Sequence, residues 1–322
     1  MNFQNPKIEK ALLTLVYVLM FVVIAYVSIT LFVQATDHTA DSLYREGRDE
    51  SMNNYLPEMP EHLDFCGERV PLEHFDVRED FERELIKVAY WHSETFIYIK
   101  RAARYFPMIS KILKDNGVPQ DFLYLCVTES GMDHVVSPAN AVGFWQILES
   151  TGKENGLEIN SEVDERYKIE NATVVACKYF KQAYAKFGSW TMAAASYNCG
   201  QAGLQRQVNN QGQDTYYDLR LNRETSRYIH RILAFKLILQ HPEKYGFIYR
   251  EKDLYQPIET VEVEVDTAIT DLYAFGRDHA GTYKMLKLLN PWLRDTKLTN
   301  RDGKLYTIKV PAEGARDKSA KK

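Results

Sequence analysis

The sequence predicts a mainly α-helical protein: one transmembrane helix, then a helical domain, then a small β-α-α-β module. Three observations carry this. Residues 11–33 form an uncharged apolar run, apolar residues recur at helical spacing between Lys87 and Tyr245, and strict alternation first appears after Thr260. Composition narrows the function classes. Of 322 residues 45% are hydrophobic and 12% aromatic, which excludes a disordered chain. With 40 basic against 44 acidic residues the formal charge is −4, which argues against nucleic acid as the main partner.

The run from Ala11 to Val33 has only Thr14, Ser28 and Thr30 as polar breaks. At 1.5 Å per residue it reaches roughly 34 Å, enough for a hydrocarbon core of about 30 Å. Lys7 and Lys10 precede it and Asp37 and Asp41 follow, so residues 1–10 are expected in the cytoplasm and the remainder outside. The run is longer than the roughly 7–15 residues of a signal-peptide core, so it reads first as an uncleaved anchor, with Val33-Gln34-Ala35 offering a cleavage site for the alternative of a signal peptide. The expectation is a single-pass membrane protein with the bulk of the chain on the outer face. Residues 34–80, with Pro57, Pro60, Gly67 and Pro71 among many charges, read as a juxtamembrane stalk.

The helical domain is expected over 81–250. Leu85, Val88, Ala89, Phe96, Ile99 and Ala103 make a first apolar stripe, with Arg83, Lys87, Glu94 and Lys100 mostly off it. Pro107 reads as the opening of a second helix that stops at Asn116-Gly117. Pro119 then precedes a third, from Gln120 to about Ser130, apolar through Phe122, Leu123, Leu125 and Cys126. Further helices are expected near 168–187, 190–197 and 223–240.

From 251 to 312 the order is strand, two helices, strand. Val261-Glu262-Val263-Glu264-Val265 alternates, Thr267–Leu272 and Thr282–Leu289 open helices, and Leu305–Val310 closes as a strand. A basic tail, 313–322, follows. Cys66, Cys126, Cys177 and Cys199 lack Cys-x-x-Cys spacing, so a zinc ribbon is not expected, and their pairing is left open by the sequence. The eight His residues show no metal-binding spacing, and no metal site is assigned.

Chemistry gathers in four blocks. Glu129-Ser130-Gly131 ends an apolar helix, where a carboxylate can be partly desolvated and kept neutral until it donates a proton. A glutamate at a helix end is also an ordinary solvated charge, and this block alone leaves both readings open. Gly143-Phe144-Trp145-Gln146-Ile147 adds a close backbone approach, aromatic surface and an amide. Ser196-Tyr197-Asn198-Cys199-Gly200 and Glu224-Thr225-Ser226-Arg227-Tyr228-Ile229 complete the set.

In this order and at these separations the blocks resemble the lysozyme-like (goose-type) catalytic domain of soluble-lytic-type lytic transglycosylases of family 1. The resemblance covers about Tyr90 to Tyr245 and includes Ala139–Ile147, Ser150-Thr151-Gly152 and Arg223–Tyr228. One departure is a loop from Glu129 to Gln146 that is one residue shorter than the family's, which bears on Ser137. The resemblance implies cleavage of the β-1,4 bond between N-acetylmuramic acid and N-acetylglucosamine in peptidoglycan, without water, leaving a 1,6-anhydromuramic end. It implies Glu129 as both acid and base, and no cofactor. It further implies that Ser137, Gln146 and Asn198 contact the glycan, that Trp145 and Tyr197 shape the cleft, and that Tyr228 orients Glu129; Trp145 and Tyr197 also read as core residues, and Asn198 as a helix-end cap. Glu224 joins the substrate-binding set, although it also reads as a first-turn acid of the last helix. The 251–312 module resembles the LysM-like unit of the same family, either glycan-binding or a packing domain.

Two other readings stand beside this one. A hydrolytic goose-type muramidase needs a second carboxylate, for which Asp133 is the nearest candidate. A catalytically idle wall-binding scaffold has no need of Glu129.

Overall fold

The computed structural model describes residues 10, 13–29 and 56–316. Two compact units are distinguished. One holds residues 1–55 with 248–253, the other 56–247 with 254–322.

In the first unit, α1 (residues 13–29) is a helix whose apolar side chains, such as Leu13, Phe21 and Ile29, are exposed. The expected span 11–33 extends beyond it, because residues 11, 12 and 30–33 lie outside the described residues. Among the described residues no helix is long and apolar enough to cross a membrane, so a transmembrane helix is not supported by the fold itself. Most of the expected cytoplasmic segment, the stalk to residue 55 and the tail from 317 also lie outside the described residues.

The second unit begins earlier than the sequence suggested. Residues 56–80 were expected as stalk, yet Leu63, Phe65, Val70, Leu72 and Val77 are all buried. A two-residue hairpin, β1 (Asp64–Phe65) and β2 (Glu68–Arg69), is sealed into the core. Glu68 accepts from Ser189 Oγ and from the backbone N–H groups of Trp190 and Thr191, capping the helix that starts there. Lys236, itself buried, donates to the Asp64 carbonyl and to the Asp121 carboxylate. These charges made the segment look like a solvated linker, but each has a specific buried or half-buried partner.

Next come α2 (Phe75–Tyr90) and α3 (His92–Asp115). The buried face of α2 runs through Val77, Phe81, Glu84, Leu85, Val88 and Ala89, the spacing of one helical stripe. The stripe read continuously to Ala103 is therefore divided at Trp91. Pro107 lies inside α3 instead of opening a helix. Its ring is exposed, which leaves water available to the carbonyl deprived of a donor.

α4 (Phe122–Ser130) is apolar nearly all round and buried from Phe122 to Val127. Two further helices had no apolar signature. They are α5 (Glu149–Glu154) and α8 (Gln201–Gln211), whose buried residues are Gly152 and Leu204 respectively. Between them, α6 (Ile169–Phe187) ends at left-handed Gly188, and α7 (Trp190–Cys199) is capped by Ser189. The central α9 (Thr225–Gln240) buries eleven residues and packs against α2, α4 and α7.

The C-terminal module contains β3 (Thr260–Val265), α10 (Leu272–Ala280), α11 (Tyr283–Leu289) and β4 (Tyr306–Pro311). Its strands pair antiparallel, with Val261 opposite Val310 and Val263 opposite Ile308. Asp271 and Thr282 cap the two helices. The module is fused to the helical domain by a shared core in which Val142, Val163 and Tyr167 pack with Trp292, Leu293, Tyr306 and Ile308. Asp164 N–H donates to the Trp292 carbonyl, Arg294 N–H donates to the Glu162 carbonyl, and Glu162 accepts twice from Thr299.

Candidate active site

The four blocks meet where the end of α4, the 135–147 loop, the end of α7 and the start of α9 converge. Gly131 closes α4 in the left-handed conformation, its N–H donating to the Val127 carbonyl at 2.8 Å. A Cβ there would lie 2.2 Å from the Tyr98 ring, so only glycine allows the close packing behind Glu129 and Ser130. Ser130 Oγ donates to the Phe144 carbonyl at 2.8 Å, tying the helix end to the loop. Gly143, at φ +79°, leaves only 2.5 Å between a hypothetical Cβ and the Arg166 carbonyl. Arg166 in turn donates to the carbonyls of Asn140 and Ile147 and is paired with Asp164 at 2.8 Å. The loop is thus braced by a segment that the C-terminal module holds.

Glu129 is half-buried at the C-terminal end of α4. Burial, with Glu224 nearby, pushes its pKa up to about 7, against the opposing pull of the Tyr228 hydrogen bond and of Arg231. Tyr228 donates its hydroxyl to Glu129 Oε1, and burial beside that carboxylate drives its own pKa well above the phenol range. Among the described residues Oε2 has no protein partner, which leaves one oxygen held and one available for proton exchange. Glu129 lines a cavity of about 670 Å³ with Trp91, Tyr98, Val135, Arg227 and Arg231.

The remaining expected residues divide between contact positions and supports. Tyr197 donates to the Trp145 carbonyl at 2.6 Å, fixing the loop to α7. Asn198 accepts from Thr225 Oγ1 at 2.7 Å and donates to Glu224 at 3.1 Å, which joins α7 to α9. Glu224 is exposed, and Asn222 caps α9 by accepting from the N–H groups of Glu224 and Thr225. Gln146 takes the left-handed conformation at φ +47°, held by its amide on the Val135 and Gly143 carbonyls. Ser137 folds its hydroxyl onto Ala141 N–H. Trp145, read as a cleft aromatic, is fully buried with its indole N–H donating to Thr173, so its side chain belongs to the core.

Asp133, the candidate second carboxylate, does not line the cavity. It accepts from Arg101 at 2.6 Å and from His134 N–H. The sequence reading overlooked Trp91, which is 51% exposed and presents an aromatic surface at the cavity wall. It also overlooked Glu84, 1% exposed yet lining the same cavity. Burial would raise this carboxyl, but the Arg227 hydrogen bond and the charges of Arg231, Arg227 and Lys87 outweigh it and hold it below the usual range. Glu84 is 143 residues from Arg227 in the chain, a separation at which no local pattern forms. The four cysteines are free thiols, and among the described residues no His, Cys, Asp or Glu cluster is arranged for a metal.

Comparison with known proteins decides the domain type. Residues 106–219 match the Transglycosylase SLT domain, and residues 261–314 match the soluble lytic transglycosylase C-terminal LysM-like domain. The chain carries an SLT domain. Two curated relatives, each named Membrane-bound lytic murein transglycosylase D and drawn from two strains of Escherichia coli, are 31% identical over 176 residues. The match covers 53% of this chain and 38% of each relative's length. An X-ray structure of an inactive mutant of the lytic transglycosylase Slt from Pseudomonas aeruginosa aligns at TM-score 0.35 and 18% identity, over 66% of this chain and 43% of that one. Glu129, Gln146, Tyr197 and Asn198 fall inside the SLT match, whereas Tyr228 and Glu224 lie beyond its C-terminal limit.

Proposed function

We propose that this protein is a peptidoglycan lytic transglycosylase in which Glu129 acts first as acid and then as base. The observation that carries the proposal is the asymmetric carboxyl of a cavity-lining residue: one oxygen fixed by Tyr228, the other without a protein partner among the described residues, in a group titrating near neutrality. As acid Glu129 gives its proton to the glycosidic oxygen. As base it takes the proton of the muramic C6 hydroxyl, which attacks C1 of the same sugar and closes the 1,6-anhydro ring. A group with its pKa near the working pH serves both steps.

A water-using glycosidase pairs two carboxyl groups roughly 5–9.5 Å apart. Besides Glu129 one carboxylate lines this cavity, Glu84, which cations surround and hold below the usual carboxylate range, while Asp133 is engaged by Arg101 outside the cavity. This favours intramolecular attack over the muramidase reading. Gln146, Asn198 and Tyr197 fix the cleft wall, Ser137 stands at the loop's edge, Glu224 anchors Asn198, and Trp91 offers a stacking surface. Residues 11–33 would tether the enzyme to the inner membrane, with Lys7 and Lys10 on the cytoplasmic side. Digestion of purified peptidoglycan followed by mass spectrometry tests the proposal. Anhydromuropeptide masses are expected, and products with free reducing ends would replace it with hydrolysis.

A further inference from the structure

Four cations surround one buried carboxylate at the wall of the glutamate cavity. Glu84 meets Arg227 Nε at 2.7 Å, Arg231 Nε at 3.3 Å, Arg83 Nε at 3.4 Å and Lys87 Nζ at 3.6 Å. Among the other described residues, the buried Arg166 and Lys236 are matched or over-matched by counter-charge. Arg166 has Asp164, and Lys236 has both Asp121 and Asp64. Here Arg83 is also satisfied by Asp80 at 2.8 Å, which leaves Glu84 to balance Lys87, Arg227 and Arg231. Glu84 is the one carboxylate within salt-bridge distance of these three cations among the described residues, Glu129 acting on Arg231 and Asp80 on Arg227 only from further away.

Donor geometry agrees with the charge count. Both guanidiniums of α9 engage Glu84 through Nε, and among the described residues their terminal Nη atoms have no protein acceptor. Arg231 lies one turn beyond Tyr228, and Arg227, Arg231 and Lys87 all line the cavity that holds Glu129. Their side chains are 17%, 34% and 50% exposed, accessible to a ligand yet partly shielded from water. A guanidinium pair with free terminal nitrogens is suited to a carboxylate.

We propose that Arg227, Arg231 and Lys87 form an anion subsite that binds a carboxylate of the peptide substituent carried by the muramic sugar, with Glu84 as the positioning residue that holds the two arginines. This rests on the glycan-cleft reading above, and supplies that cleft with a reason to prefer peptide-bearing strands over bare ones. Because Arg231 also acts on the charge of Glu129, occupancy of the subsite by an anion would favour the protonated, acid-competent carboxyl.

The test is a binding measurement that does not depend on turnover. Full-length Glu129→Gln protein is titrated calorimetrically with a soluble muropeptide and with the same muropeptide whose peptide carboxylates are amidated. Binding is expected to weaken about tenfold on amidation, the order of one charge-assisted pair at a partly exposed site. The added pair Lys87→Gln and Arg227→Gln is expected to abolish that difference, and Arg227→Lys to restore part of it. Thermal unfolding monitors the α2–α9 clamp, and if the double variant does not fold, Lys87→Gln alone is expected to reduce the difference about threefold. Equal binding of the two ligands, or a difference that survives the substitutions, overturns the proposal. Failure of native protein to make anhydro products from amidated and unamidated substrate alike would instead refute the transglycosylase reading.

Discussion

Replacing Glu129 by Gln makes a prediction about stability that is independent of any substrate. The carboxyl titrates at about 7 in the folded chain against an ordinary 4.5. Below pH 4.5 it is protonated in both folded and unfolded chains and contributes no difference. As pH rises toward 7 the unfolded chain ionises first, so the folded state loses stability, and the loss levels off above the folded pKa. At about 1.4 kcal/mol per pH unit the full loss is about 3 kcal/mol, less whatever water reaches the half-buried group. Glutamine has no such titration. Glu129→Gln should therefore match the native protein near pH 4 and exceed it by about 2–3 kcal/mol at pH 8, roughly 5–10 °C in melting temperature for a unit of this size. Thermal unfolding of both proteins across pH 4–8, followed by far-UV circular dichroism, measures the difference. Parallel curves over that range would refute the claim that Glu129 is desolvated.

Tyr228→Phe removes a donor that favours the charged carboxylate, so the Glu129 pKa should rise above about 7, by roughly one unit, moving the alkaline limb of the kcat/KM profile upward. An unmoved limb would remove Tyr228 from its orienting role. Trp292→Ala opens the core shared by the module and the helical domain and should cost about 3–5 kcal/mol while 56–316 still unfolds in one transition. Two resolved transitions would mean the module is independent. The buried Cys126 thiol, raised by desolvation and the Glu129 charge, should resist alkylation in the native state, and reductant should leave the melting temperature unchanged because all four cysteines are free.

Sequence legibility followed the range of the interactions. The alternation of β3 is a local pattern and the strand forms where it lies, whereas the stripe read from Leu85 to Ala103 spans two helices, α2 starting earlier at Phe75 and α3 at His92. The four blocks that meet around Glu129 stood out for the same reason, since each is a contiguous stretch. Long-range pairing was not. Glu84 reads as one more charge on a helix until α9 brings Arg227 and Arg231 to it, and Glu68 reads as linker until α7 starts against it. Trp145 shows the converse, an aromatic expected at the cleft that Thr173 draws into the core. α8 was missed because Leu204 is its one fully buried residue, so no stripe marks it, and Pro107 misled because its ring meets solvent.

Cleavage of purified peptidoglycan in heavy-oxygen water tests the central claim most directly, because attack by the C6 hydroxyl leaves no solvent oxygen in the product. The account predicts anhydromuramic ends without label from the native protein and no cleavage by Glu129→Gln. Labelled reducing ends, or equal product from the two proteins, would contradict it.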